Sequence, residues 1–212
     1  MQLKNLTPNL FIFFLILFTA CEPPAWTDYE RDMIEYRYAR DNFVKFGDAS
    51  PLEEREKIFF VELSYYDIDS NYRLTAFYQP FEEQDTIDMP YQNGTPRPYI
   101  RKGSLSLDLD TLEVQLTAYQ SVDADEDEPL FIPFKDYSCA FESFDGGRYM
   151  DLDLESSEAQ KVILDLNKIY NPHCALNPKF KCPIPPEENY VPYHIHAGEK
   201  AYGKYKFWGL FD

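Results

Sequence analysis

The feature that most constrains the fold is a period-two alternation of apolar and polar residues. It is clearest in residues 105–109 and 112–118, which flank the turn residues Asp110 and Thr111. Side chains of a strand point alternately to its two faces, so each segment is predicted to be a strand with one buried face. Successive short strands with turn signals predict a mainly β fold, an antiparallel meander that forms a barrel or a two-sheet sandwich.

An earlier alternation predicts another hairpin. Val61, Leu63 and Tyr65 alternate with polar residues, a turn is expected at 69–71, and 72–78 alternates back. Further strands are predicted near residues 84–89, 97–102, 130–134, 147–154, 161–167 and 191–197.

Two helices are predicted before the strands, one long and amphipathic and one short. Thr27 and Glu30 have the spacing of a capping box, which satisfies two free backbone donors at a helix start. Pro51 is suited to the first turn of the second helix, which is expected to end near Lys57. The residues predicted to share the buried face of the long helix are Tyr29, Met33, Tyr36, Phe43 and Phe46.

The N-terminal residues have the layout of an export signal. Lys4 precedes the apolar run 10–18, two small residues follow, and then Cys21. The small-small-Cys ending resembles a bacterial lipobox, although Phe18 replaces the usual Leu, and this resemblance implies lipid attachment at Cys21. A secreted protein without lipid is the alternative. The predicted organisation is a signal peptide (1–20), a tether (21–25) and a single domain (26–212).

Charge and location narrow the choice of partners. Removal of residues 1–20 takes away Lys4 and no acidic residue, so 19 cations face 37 acids, a net charge of −18. Such acidity argues against nucleic acid, which is bound by basic surfaces. The expected partner is a membrane, through the lipid anchor. Because Glu22 is not the common inner-membrane retention signal, the outer membrane is favoured over the inner.

The cysteines suggest a disulfide bond. Export places Cys174 and Cys182 in a compartment that tolerates disulfides, and a bridge between them would contribute roughly 2.6 kcal/mol in the chain-entropy model. A zinc pair is the less favoured alternative, since no second pair follows. Cys139 is interpreted as a small buried apolar residue.

Residues 146–200 carry a specific set of motifs. The motifs are Gly146-Gly147-Arg148-Tyr149-Met150-Asp151, Leu164-Asp165-Leu166-Asn167, Asn171-Pro172-His173-Cys174-Ala175, Cys182-Pro183-Ile184-Pro185-Pro186 and Ala197-Gly198-Glu199. Together they resemble the DUF1684 family, a domain of unknown function, and the resemblance covers roughly residues 26–200. Leu166 stands where the family usually has Phe. The histidines of Tyr193-His194-Ile195-His196 are not part of the family pattern.

Polar residues of these motifs form the candidate site. They are Arg148, Tyr149, Asp151, Asn167, Tyr170, Asn171 and Glu199. One interpretation is a pocket for a small polar ligand. The favoured interpretation is a buried hydrogen-bond network that fixes the proline-rich loop, with Arg148 paired to a carboxylate.

No motif indicates catalysis, a cofactor or a metal site. The chain has no nucleophile elbow, zinc-protease helix or phosphate loop. His194 and His196 have an acceptable spacing for two metal ligands, which His173 or Cys139 would have to complete. They are interpreted as half-exposed strand residues, and no metal is expected.

Three functions remain. The first is a lipid-anchored envelope domain that binds a small polar ligand or an envelope partner. The second is a structural envelope lipoprotein without a ligand. The third is a small hydrolase that uses Asp151, Tyr149 or Glu199.

Overall fold

One helix dominates the N-terminal part of the chain. The computed structural model describes residues 26–92 and 94–203, so the predicted signal peptide and Cys21 lie outside the described residues. Helix α1 (Asp28–Phe46) is 19 residues long. Thr27 and Glu30 form the predicted capping box: the Thr27 N–H donates to Glu30 Oε2 (2.7 Å), and the Glu30 N–H donates to Thr27 Oγ1 (3.2 Å). None of the described helices combines the length and apolar composition needed to cross a membrane.

The buried face of α1 differs at its end from the predicted one. Met33 and Val44 are buried, whereas Phe46 is exposed. Val44 follows Met33 by three helical turns and therefore shares its face, while Phe46 is turned to the opposite side. Phe46 therefore adds a large apolar side chain to the protein surface.

The part of the chain that the structure describes contains eight strands and two further short α-helices. The strands are β1 (Arg73–Pro80), β2 (Thr86–Met89), β3 (Arg97–Leu109), β4 (Leu112–Ser121), β5 (Leu130–Asp136), β6 (Arg148–Leu152), β7 (Gln160–Asp165) and β8 (Tyr190–Val191). The helices are α2 (Glu54–Lys57) and α3 (His173–Leu176). The strand order is β6-β5-β4-β3-β1-β7, with β2 on β3 and β8 parallel to β5.

The hairpin of β3 and β4 confirms the strongest prediction from the alternation. Leu105 pairs with Leu116, Leu107 with Val114, and the chain turns at Asp110, which adopts a positive φ of 56°. Two adjacent strands joined by a tight turn need only local information, which explains why the pattern alone located them.

The sheet is mainly antiparallel, as predicted, but it is a half-barrel, neither a closed barrel nor a sandwich. Strands β6 and β7 lie at the two ends of the hydrogen-bonded order. One isolated bridge joins β6 to the chain after β7: Tyr149 and Tyr170 exchange backbone hydrogen bonds of 2.9 and 3.0 Å. Pro172, two residues after Tyr170, cannot donate a hydrogen bond, so the pairing does not continue as a ladder.

The hairpin predicted for residues 61–78 is wrong. Strand β1 pairs with β3 and β7, whereas the preceding segment has one isolated bridge, Tyr65 to Glu199. The buried residues there are Phe60, Leu63 and Tyr66, which are spaced by three rather than two. This segment lies along the C-terminal part of the domain: the Tyr66 N–H donates to the Gly198 carbonyl at 3.0 Å.

Two apolar clusters place the candidate site between them. The first fills the half-barrel and includes Leu105, Ile132 and Ile195. The second contains Val44 of α1 together with Leu176 of α3. The chain after β8, residues 192–200, contributes to the first cluster, so it is held against the sheet.

Candidate functional site

Arg148 is the centre of a fully buried ion pair. Its Nη2 lies 3.1 Å from Asp136 Oδ2, and neither side chain is exposed. The guanidinium also donates to the carbonyls of Ala197 (2.6 Å) and Ile195 (3.0 Å), while Asp136 Oδ2 accepts the Ile195 N–H (2.9 Å). Arg148 and Asp136 therefore clamp the backbone of residues 195–197 and present no charge to solvent.

Glu199 forms a second buried centre between α1 and the C-terminal chain. Its side chain is 1% exposed, Oε1 accepts from Arg40 Nε (2.9 Å), and Oε2 accepts the Asn171 N–H (2.8 Å). The Asn171 side chain donates to the Lys200 carbonyl at 2.7 Å. Both oxygens of the carboxylate are thus used to hold the helix and the Asn-Pro turn together.

Asp151 and Tyr170 are the members of the predicted cluster nearest to solvent. The Tyr170 hydroxyl donates to Asp151 Oδ1 at 2.9 Å, and the guanidinium of Arg40 lies 5.0 Å from the centre of the Tyr170 ring. Desolvation raises the pKa of the Asp151 carboxyl, and the hydrogen bond from Tyr170 opposes this increase. Burial followed by the Asp151 charge raises the pKa of Tyr170, so its hydroxyl stays protonated as a donor.

Tyr149 and Asn167 bind main-chain groups of other segments. The Tyr149 hydroxyl donates to the Pro183 carbonyl in the proline-rich loop. The Asn167 amide donates to the Asp69 carbonyl and to the Tyr29 hydroxyl, both at 2.8 Å. The seven predicted residues therefore form several small groups of contacts rather than one pocket, and these contacts connect α1, the half-barrel and the loop.

Asn189 is an important residue that the sequence analysis missed. It is fully buried, accepts the Thr117 N–H (2.7 Å), and donates to the carbonyls of Thr117 (2.9 Å) and Pro133 (2.8 Å). Pro133 has no N–H to offer a neighbouring strand. The Asn189 amide thus links β4 to β5 where proline interrupts the ladder. Its place after Pro185 and Pro186 gave no signal of this role.

The predicted disulfide is not present. Cys174 and Cys182 are buried free thiols, and the Cys174 N–H donates to Cys182 Sγ at 3.1 Å. The hydrogen bond between the two side chains raises the pKa of Cys174, the donor, and lowers that of Cys182, the acceptor. Close spacing brought the sulfurs together, as expected, but as a hydrogen-bonded pair in the apolar cluster beneath α1.

The fold assembles a cluster of two histidines and a carboxylate that the sequence analysis did not predict. Glu142 Oε2 lies 3.5 Å from His194 Nε2 and 3.5 Å from His196 Nδ1. The imidazoles stack with centroids 4.1 Å apart. His173 packs instead against Phe43, and Cys139 contacts Asp136 and Ser143. Nothing in the sequence connected Glu142 with residues more than 50 positions later.

A group of large apolar side chains is exposed near the end of α1. Phe46, Ile58, Phe59 and Val61 are 71–83% exposed and are here called the apolar surface. Phe46 and Ile58 line one shallow groove, and Phe59 lines another. Single exposed apolar residues are common, whereas several from one short region of the fold indicate a candidate contact surface.

A cavity of about 240 Å³ lies at one end of the half-barrel core. Tyr78 and Leu152 contribute to its wall. Its charged lining residues are Lys102, Glu126, Asp127, Glu128 and Asp153. Three consecutive acidic residues, 126–128, therefore border the cavity.

Comparisons with known proteins give a family and a fold. The solution NMR structure of the uncharacterized protein from gene locus rrnAC0354 of Haloarcula marismortui is similar, with a TM-score of 0.66 and 35% identity. The alignment covers 82% of this chain and 94% of that one. No curated protein matches this chain. Residues 59–200 match the family described as Protein of unknown function (DUF1684). The matched range contains Arg148, Asp136 and Glu199, while Arg40, the partner of Glu199, precedes it. The chain therefore belongs to that family.

Proposed function

We propose that this chain is a lipid-anchored protein of the cell envelope whose single folded domain binds partners at a membrane surface. The N-terminal layout and Cys21 support the anchor, and Glu22 favours the outer membrane over the inner. The observation that carries the proposal is the apolar surface, because four large side chains exposed together are unfavourable in water unless something covers them. The proposed cover is the bilayer to which Cys21 holds the domain.

Contact with the bilayer would be apolar rather than electrostatic. Of the cations beside the apolar surface, Lys45 donates to the Phe60 carbonyl, Lys57 pairs with Glu54, and Arg55 pairs with Glu53. The charges of Lys57 and Arg55 are thus paired locally, Lys45 is held by an uncharged carbonyl, and the chain as a whole is strongly acidic. Burial of a large apolar side chain is worth roughly 1.5–3 kcal/mol when complete, so partial insertion of four is sufficient for weak binding.

The positions of anchor and apolar surface define an orientation. Cys21 precedes α1, whereas Phe46 is its last residue, and 19 residues of helix extend about 28 Å. The six residues between Cys21 and the start of α1 reach at most about 22 Å. Cys21 and the apolar surface can therefore contact the same membrane when α1 lies along the membrane surface. The outward-facing Tyr38, which is also exposed, fits this orientation.

Fractionation tests the anchor, and vesicle binding tests the surface. Cys21→Ser should move the full chain from the membrane to the soluble fraction. The soluble Cys21→Ser protein should sediment with phosphatidylcholine vesicles, no better with anionic ones and independently of salt. Adding Phe59→Ser and Val61→Ser should abolish sedimentation, while the control Val122→Ser, a half-exposed residue after β4, should leave it unchanged.

Other outcomes would contradict the proposal in separable ways. Unchanged fractionation of a chain that carries Cys21→Ser together with Phe59→Ser and Val61→Ser would exclude the lipid anchor. If the protein with Phe59→Ser and Val61→Ser sediments with vesicles as well as the Cys21→Ser protein does, the apolar surface is not what binds the bilayer. If residues 204–212 occupy that surface instead, a chain ending at Gly203 should bind vesicles while the longer chain does not.

The cavity supports the binding of a small polar ligand as a second activity. Its volume of about 240 Å³ is below the usual range of ligand pockets, so only a very small molecule would fit, and its lining offers Lys102 together with several carboxylates. Native mass spectrometry of protein from its own cells should show a retained mass, and Ser157→Trp at the rim should remove it. The same mass in that variant would place the ligand elsewhere.

The hydrolase alternative has less support. Glu199 is buried with both oxygens engaged, and the Tyr149 hydroxyl is bound to the Pro183 carbonyl. A general acid or base needs a reactive atom within reach of substrate. Of the three residues considered, Asp151 alone is exposed, and its nearest hydroxyl already donates to it.

A further inference from the structure

The histidine–carboxylate cluster has the dimensions of a metal site. Glu142 Oε2 is 3.5 Å from each imidazole nitrogen, and the three ligand atoms all lie within 4.8 Å of one another. A tetrahedral ion with bonds of about 2.1 Å separates its ligand atoms by about 3.4 Å. A distance of 3.5 Å is longer than a good N–H···O hydrogen bond, which is 2.7–3.2 Å. The spacing therefore suits atoms that share a cation better than atoms that share a proton.

One ligand atom lacks any other partner. His194 Nε2 is shielded from solvent and has no hydrogen-bond partner among the described residues. A buried polar atom without a partner costs free energy, roughly 1–3 kcal/mol. A cation between His194, His196 and Glu142 would satisfy this nitrogen.

The cluster is supported by contacts that already hold its members in place. The Tyr66 hydroxyl donates to Glu142 Oε2 at 2.9 Å and fixes the carboxylate. Between the histidines, Ile195 points into the core, and both its backbone groups are bound by Asp136 and Arg148. The alternation of the chain thus turns His194 and His196 to the same side. Outer contacts of this kind orient metal ligands, and binding would require the stacked imidazoles to turn toward a common point.

We propose that Glu142, His194 and His196 bind one divalent transition-metal ion of the zinc class, with a fourth position open to water or another ligand. Two imidazoles favour zinc, copper or nickel over calcium and magnesium, which prefer oxygen. The ion would connect the loop 137–147 to the C-terminal residues 194–200. The site does not depend on the membrane proposal, and it reverses the expectation from sequence that no metal is bound.

Zinc titration of the purified full chain, after treatment with a chelator, tests the site. Isothermal titration should show one zinc per chain and no calcium binding at the same site. His194→Ala or His196→Ala should weaken zinc binding at least about 100-fold, and Tyr66→Phe about 10-fold, because loss of an outer contact costs 10–100-fold in affinity. Zinc should raise the unfolding temperature of the unsubstituted protein, but at the same concentration it should not raise that of His194→Ala or His196→Ala.

His173 supplies a matched control, since it is the third histidine of the chain and packs against Phe43 and Phe180. His173→Gln should bind zinc like the unsubstituted protein, with circular dichroism confirming that every variant folds. Absence of stoichiometric zinc would overturn the proposal. So would zinc affinity that survives in the His194→Ala/His196→Ala double variant, which would indicate adventitious binding to other carboxylates of this acidic chain.

Discussion

The two sides of the segment 194–199 differ sharply although they belong to one stretch of chain. On the inner side, Ile195 and Ala197 pack into the core, and Glu199 is bound by Arg40 and Asn171. On the outer side, the side chains of His194 and His196 are 37% and 52% exposed. Most polar groups inside are engaged because burial without a partner is costly, although Arg148 Nε and Asn171 Oδ1 have no hydrogen-bond partner among the described residues. The outer histidines are partly exposed, which leaves them available for binding.

Substitution of Arg148 should have the largest effect on the inner side. Arg148→Ala leaves the Asp136 carboxylate buried without its charge partner and frees the carbonyls of Ile195 and Ala197. Breaking a buried ion pair costs about 3–5 kcal/mol, and we expect a loss of this size in the free energy of unfolding. Denaturant titration measures it.

A double variant separates the cost of the unpaired charge from that of lost packing. Arg148→Met combined with Asp136→Leu removes both charges, so it should be more stable than Arg148→Ala. A loss below about 1 kcal/mol in Arg148→Ala would show that the inner side is not the structural centre that its contacts indicate.

Asn189→Ala should have the next largest effect. The substitution removes the amide that accepts from Thr117 and donates to Thr117 and Pro133, leaving buried backbone groups without partners. Because each unsatisfied group costs about 1–3 kcal/mol, a total near 3 kcal/mol is expected in denaturant titration. Asn71→Ala, in an exposed turn, is the control and should cost little. Equal losses in the two variants would contradict the bridging role.

Local features were predictable from the sequence, whereas contacts between distant segments were not. The capping box of Thr27 and the turn at Asp110 are encoded within a few residues, so they were found directly. The resemblance located Arg148 and Glu199, and the pairing of Arg148 with some carboxylate was expected. No pattern could select Asp136 as that carboxylate.

The wrong predictions have the same origin, because they too depend on contacts between distant segments. Val61 belongs to an alternating pattern that predicted a strand. The buried residues near it are instead spaced by three along the sequence, and they contact the C-terminal part of the domain. Cys174 and Cys182 were expected close together, but proximity in sequence does not decide between a bridge and a hydrogen bond. Glu142 joins His194 and His196 only because the loop after β5 and the chain after β8 meet in space.

Tyr66→Phe should have a smaller effect that depends on pH. The hydrogen bond from Tyr66, followed by the charges of His194, His196 and Lys200, lowers the pKa of Glu142 below its ordinary value of 4.5. A lowered folded-state pKa gives stability that is present above pH 4.5 and is lost as the pH falls through the lower value. The hydroxyl should contribute about 1 kcal/mol at pH 7, since Glu142 is half-exposed.

Comparison of two variants isolates this contribution. The difference in unfolding free energy between the unsubstituted protein and Tyr66→Phe should stay constant from pH 7 to about 4.5 and shrink as the pH is lowered further. In a Glu142→Gln background the pH dependence of that difference should disappear. A difference that stays constant with pH would mean that the hydroxyl stabilises through something other than the Glu142 carboxylate.

His196→Gln should have the smallest effect on stability, and that result is what distinguishes the outer side from the inner one. The His196 side chain is half-exposed, its ring contacts Tyr66 edge-on, and its backbone N–H, which the substitution preserves, bonds to Tyr72. Without metal, its free energy of unfolding should therefore lie within about 0.5 kcal/mol of that of the unsubstituted protein. With saturating zinc the two should separate, because a ligand that binds only the folded state stabilises it according to its affinity. Thermal unfolding in chelator and in zinc measures both. A large loss in chelator would mean that His196 belongs to the scaffold, and equal unfolding temperatures in zinc would remove it from the metal site.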